Sequence, residues 1–195
     1  MSILEAVGLA FIRKCYLLSI CSIIICSCKT VNLRHYDNEK IYNRQSTSLK
    51  LDGYYSYTYD SLFYPMFLYE DGTALNLGGF SNEKELTKYL KNDLTGDKLK
   101  NYLRVDSGWG GFYTNDNEIV IQTVVSLSSG GIPVSIGVLE HIGAIVDNSS
   151  FRIRERVIPQ RDQTRSVDVL YRFHSYSPKP DSANWVKEKV KEKSS

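Results

Sequence analysis

The sequence predicts a mainly β domain: an antiparallel meander of about eight strands, with one internal helix and a short C-terminal helix. Three observations predict it. Apolar and polar residues alternate with a period of two in run after run between Gly53 and Tyr176. Short clusters of Gly, Asn, Asp and Ser separate the runs, and such clusters suit hairpin turns rather than long crossovers. In the body of the chain one stretch, beginning at Asn82, carries an apolar stripe at clear helical spacing. A meander of this size must close into a barrel or stack as a sandwich to hide its edges, and the barrel is favoured.

Residues 53–60 open the set, with Tyr55, Tyr57 and Tyr59 on one face and Tyr54, Ser56 and Thr58 on the other. Residues 63–70 follow, with Pro65 marking an edge or bulge near the start. Glu70-Asp71-Gly72-Thr73 supplies a hairpin turn, since glycine accepts the positive φ such turns need, and residues 73–78 return. Asn82 can cap the internal helix while Glu85 reaches back as a capping box. Leu86, Tyr89 and Leu90 form its stripe, Thr95-Gly96 ends it, and residues 97–103 suit another short helical turn. Strands 109–114 and 118–127 flank Asn115-Asp116-Asn117. Strand 133–146 follows the turn Ser128-Ser129-Gly130-Gly131, with Val134, Ile136, Val138, Ile142, Ala144 and Val146 on one face. Gly137 and Gly143, on its other face, read as bulges or a bend. Strands 151–158 and 167–176 complete the sheet, and Pro178 and Pro180 stop it. Asp181 or Ser182 can cap a charged helix over 183–191, anchored by Trp185.

Upstream of this domain, Arg13-Lys14 and the apolar run from Cys15 to Ser27 have the layout of an export signal. A run of about 13 residues is too short to span a bilayer. Ile25-Cys26-Ser27-Cys28 resembles the lipobox of bacterial lipoproteins. The resemblance implies cleavage before Cys28, a diacylglyceryl thioether on its sulfur, and palmitate-type chains as the membrane anchor, each buried methylene adding about 0.8 kcal/mol. Lys29 stands where an inner-membrane retention signal would place Asp, which points to the outer membrane and a periplasm-facing domain. An ordinary cleaved signal, or an uncleaved anchor reaching back to Ile3, is the alternative. Residues 1–27 are thus expected as signal peptide, 28–50 as lipidated cysteine and polar tether, and 51–195 as one β-rich domain. A first strand packed on the domain is the alternative to the tether.

Without residues 1–27 the chain holds 168 residues, enough for one core, with 22 basic and 21 acidic side chains. Nucleic-acid binders carry a marked basic excess, so no nucleic-acid partner is expected. Cysteines 15, 21, 26 and 28 all lie in or at the end of the leader, which leaves no disulfide, thiol nucleophile or cysteine zinc site in the domain. His35, His141 and His174 stand in separate segments without ligand spacing, so no metal is expected. Gly78-Gly79 and Gly110-Gly111 lack the context of a phosphate loop, no Gly-x-Ser-x-Gly elbow is present, and nothing asks for a cofactor.

Trp109-Gly110-Gly111-Phe112 is similar to the Gly-and-Trp openings of small bacterial lipocalins, and the strand count and C-terminal helix look like that family's plan. The resemblance implies a closed barrel. The chain departs from the pattern in that a lipocalin carries Gly-x-Trp in its first strand, where this chain has Gly53-Tyr54-Tyr55. A lipocalin's helix also normally follows its last full barrel strand. A cystatin-like or open α+β sheet is the alternative architecture.

Two groups of residues are candidates for binding. Strand alternation places Arg152, Arg154 and Arg156 on one face, with Phe151, Ile153 and Val157 on the other. A turn centred near Asp162 would set Arg156 across from Asp168 and Arg152 near Arg172. Such a ladder would hold a carboxylate, phosphate or acidic glycan through bidentate hydrogen bonds. The plainer reading is a solvated face, where an exposed pair is worth about 0–1 kcal/mol. The row Tyr55, Tyr57, Tyr59 would line a cavity for a sugar or apolar ligand, or else form core. His174 shares a face with Asp168 and Arg172 and is the one acid–base candidate. The expected function is a membrane-tethered envelope lipoprotein that binds a small ligand or an envelope protein without catalysis. A structural or assembly subunit, or an enzyme of envelope glycans or lipids built on His174, Asp168 and the arginines, is the alternative.

Overall fold

Eight strands run antiparallel in chain order: Gly53–Tyr59 (β1), Leu62–Leu68 (β2), Thr73–Asn76 (β3), Ser107–Asn115 (β4), Glu118–Ser129 (β5), Ile132–Asp147 (β6), Ser150–Ile158 (β7) and Gln163–Ser175 (β8). Each pairs with the next, and β8 returns to β1 with His174 opposite Tyr54. The sheet therefore closes as a lipocalin-like up-and-down barrel, which removes the edges that eight strands would otherwise expose. Leu103–Arg104 adds a two-residue strand beside β4. The computed structural model describes residues 30–31, 33–42, 47–129 and 132–193, and residues 31–195 form the compact unit that carries the fold. The expected export signal and the expected lipidation site at Cys28 lie outside the described residues.

Local chemistry accounts for the turns. Asp60 and Ser61 both take positive φ between β1 and β2, as a two-residue hairpin requires, and Gly72 does so between β2 and β3. Asp116 turns β4 into β5, and a 3-10 turn over Pro159–Arg161, ended by Asp162 at φ 49, joins β7 to β8. Four short helices complete the unit: Asn38–Tyr42 (α1), Glu83–Lys88 (α2), Gly96–Lys100 (α3) and Trp185–Lys193 (α4). The Asn82 side chain caps α2 by accepting from Glu85 N at 3.0 Å. Glu85 reaches one residue beyond the expected partner and accepts from Ser81 N at 2.9 Å. The cap of α4 is Asn184, which accepts from Lys187 N at 2.9 Å, rather than Asp181 or Ser182.

Both faces of the sheet are buried over much of its span, while the outer face of β7 and β8 carries exposed residues. Inside the barrel, Tyr55, Met66, Phe112, Ile121, Phe151 and Tyr171 belong to one cluster. Phe151 of β7 meets Tyr55 of β1 at 5.0 Å, although these strands are not neighbours in the sheet, so this face is the interior. On the outside, Tyr54, Phe67, Leu75, Trp109, Val124 and Val138 pack beneath Leu86, Leu99, Val186 and Val190 from the helices. Trp109 is fully buried there, and its Nε1–H donates to Leu99 O at 2.6 Å.

Residues 33–42, within the stretch expected as a polar tether, are seated on this outer layer through Leu33, Tyr36 and Ile41. Gln122 fixes the seat. Its Oε1 accepts from Asp37 N at 2.8 Å, and its Nε2 donates to His35 O and Glu140 Oε1. Gly111 makes the close approach possible, because a Cβ there would collide with Ile41 Cγ2 and come within 2.9 Å of Tyr36 Oη. At one end of the barrel Lys179 Nζ donates to both Leu51 O and Leu68 O at 2.6 Å and lies 4.2 Å from the Tyr69 ring centre.

Candidate ligand cavity

The inward row of β1 runs from floor to rim. Tyr55 is 1% exposed at the closed end, where its hydroxyl donates to Lys50 O at 3.0 Å, so it is structural. Tyr57 stands midway, and Tyr59 reaches the rim at 69% exposure. A cavity of about 850 Å³ opens at that rim, ringed by the end of β1, the segment leading into β4, and the β7–β8 turn. Tyr57, Tyr64, Tyr171, Leu139, His141 and Arg156 are among its walls. Tyr57 stacks on Tyr64 at 5.0 Å and meets the edge of Tyr171 at 4.9 Å.

The arginine ladder does not form as alternation predicts. A bulge offsets β7 against β6, so that Ile142 faces Glu155 while the next residue, Gly143, faces Ile153. Arg154 is thereby an extra residue, and Arg154 and Glu155 are both exposed. Beyond it the phase is inverted, and Arg156 points into the barrel opposite His141. Arg152 stays outside and pairs with Asp168. The β7–β8 turn is centred earlier than Asp162, which sets Arg156 across from Arg165 rather than Asp168, and Arg152 across from Leu170. Of Gly137 and Gly143, Gly143 lies at the register shift, whereas Gly137 continues an unbroken ladder with Val125.

Arg156 is the polar centre of the cavity. Its Nη2 donates to the Tyr57 hydroxyl at 3.2 Å, and its guanidinium carbon lies 5.7 Å from the Tyr57 ring centre. Burial opposes its charge, but the Tyr57 and Tyr171 hydroxyls outweigh burial and keep its pKa raised. Tyr171 is itself held protonated by burial. His141 is 2% exposed, and neither ring nitrogen has a hydrogen-bond partner. Burial first, and the neighbouring Arg156 second, push its pKa down to about 3, so the ring is neutral.

The remaining candidates are not brought together. His174 and Arg172 lie in a shallow groove on the outside of β8. The His174 ring stacks on Tyr54 at 5.1 Å, with its Nε2 3.0 Å from Ser56 Oγ. Asp168 is engaged by Arg152. His141, by contrast, is not among the binding residues that the sequence suggests. The available signal was a histidine two residues before Gly143 in an otherwise apolar strand, at the place where a bulge was expected. No protein-family model, curated protein or solved structure matches this chain.

Proposed function

We propose that this protein is a non-enzymatic envelope lipoprotein whose barrel binds a small ligand, held at a bacterial membrane, outer rather than inner, through lipid on Cys28. The observation that carries the binding half is the cavity itself: about 850 Å³ inside a closed barrel, with a neutral buried His141 and an arginine aimed into it. Cavities of this size with a few convergent polar groups on aromatic and aliphatic walls suit small molecules. The anchoring half is supported by the resemblance of Ile25-Cys26-Ser27-Cys28 to a lipobox.

Native mass spectrometry of residues 29–195, secreted to a bacterial periplasm and purified without detergent, tests the binding half. The expected result is a bound mass that disappears on denaturation. A clean apo mass would move the reading to an envelope protein partner, sought by crosslinking in cells. For the anchor, Cys28→Ala should abolish incorporation of labelled palmitate and release the chain from the membrane fraction. A wild-type chain that takes no label would overturn it.

A further inference from the structure

Among the described residues, no carboxylate stands with the polar groups deep in the cavity. Arg156 has hydroxyls for company: Tyr57 accepts from its Nη2, Tyr171 lies beside it, and its Nε–H has no partner. The ion pairs among the described residues are Lys40–Asp37, Lys100–Glu188, Arg152–Asp168 and Lys187–Asp71, and none includes Arg156. The two carboxylates that line the cavity, Asp106 and Asp162, sit in the loops of the rim. Directly across the ladder stands His141, with both ring nitrogens unpartnered. Buried polar atoms are almost always hydrogen-bonded, and Arg156 Nε and both His141 nitrogens are not, so this cluster around a half-buried cation is incomplete by itself.

We infer that the cavity takes an amphipathic monocarboxylate, its carboxylate seated against Arg156, His141 and the Tyr57 and Tyr171 hydroxyls and its apolar body along Leu139, Ile158 and Tyr64. The inference rests on the ligand-binding reading above. The Nε–H of Arg156, the hydroxyl protons of Tyr57 and Tyr171 and the single N–H of the neutral imidazole are all donors, and a carboxylate is acceptor-only. The guanidinium fork matches that anion in shape and supplies one positive charge for one negative. A neutral sugar would leave the cation uncompensated. A phosphate would bring excess charge to a depth where Arg156 is the one cation among the described residues, since Arg104 and Arg165, which also line the cavity, are exposed.

Calorimetric titration of residues 29–195, which hold every strand and helix of the barrel unit, with sodium decanoate, decanol and decyl phosphate separates these claims. Decanoate should bind about tenfold or more tighter than either of the other two. Arg156→Gln should weaken decanoate about tenfold to a hundredfold and leave decanol unchanged, because a charge-assisted hydrogen bond is lost. Tyr171→Phe keeps the ring and removes one donor, so it should weaken decanoate by a smaller factor even where Arg156→Gln does not fold. Equal binding of decanoate and decanol, both indifferent to Arg156→Gln, would overturn the carboxylate assignment while leaving the cavity a binding site. Decyl phosphate binding as tightly as decanoate would also overturn it. Failure of all three probes would remove the ligand-binding reading, and this inference with it.

Discussion

His141 should make the barrel acid-sensitive by an amount that can be isolated. Above about pH 6.5 the imidazole is neutral in both the folded and the unfolded chain, and it contributes no pH slope. Below that, the unfolded chain takes up a proton that the folded barrel refuses until its own pKa of about 3. Stability therefore falls as pH drops through this window, by ~1.4 kcal/mol per unit, or ~2 kcal/mol at pH 5. The groups that face the ring are Ile121 on β5 and Arg156 on β7, with no carboxylate to relieve the penalty. Urea unfolding followed through Trp109 and Trp185 fluorescence, at pH 7 and pH 5, measures it. Other titrating groups contribute equally to wild type and to His141→Leu, so the double difference isolates the imidazole. It should be ~2 kcal/mol, with wild type losing more. A double difference under ~0.5 kcal/mol, or a His141 ring resonance that titrates near its ordinary value, would refute a dry, neutral histidine beside an uncompensated cation.

Two further substitutions test how the outer layer is held. Gly111→Ala should lift residues 36–42 off β4 and cost ~1–3 kcal/mol, with loss of amide-exchange protection at Asp37 as the specific sign. Unchanged protection would mean that the seat yields without strain. Trp109→Phe should lower the thermal midpoint by removing the 2.6 Å indole donor to Leu99 O, at ~0.5–1.5 kcal/mol, since that carbonyl keeps the Tyr102 N–H at 3.1 Å. A midpoint equal to wild type would mean that this bond adds nothing beyond ring packing.

The strands and their order were legible because local alternation and turn residues carry them. The Tyr55–Tyr57–Tyr59 row shares a face as read, and the meander closes as expected. What could not be read was which face lies inside. In β6 the more apolar set, including Ile136 and Val138, lies outside beneath the helices, while Leu139 and His141 line the cavity. A sheet covered on both sides defeats the rule that the apolar face is the inner one. The seat of Leu33, Tyr36 and Ile41 is illegible for a related reason: three isolated apolar residues in a polar run have no period, yet each finds a place in the outer cluster. In the sequence Arg156 reads as a binding residue of a surface ladder, which its strand never forms because the bulge at Arg154 is a tertiary event.

That one extra residue decides the sign of the charge within the barrel. Had β7 kept strict alternation past Ile153, Glu155 would point inward where Arg156 now does, and the same atoms would make a receptor for cations. Ligand polarity in such a barrel is thus heritable through insertions and deletions as well as through substitutions. In a diverging lineage, gain or loss of one residue near position 154 would exchange the charge that faces the barrel interior while leaving composition and net charge almost untouched.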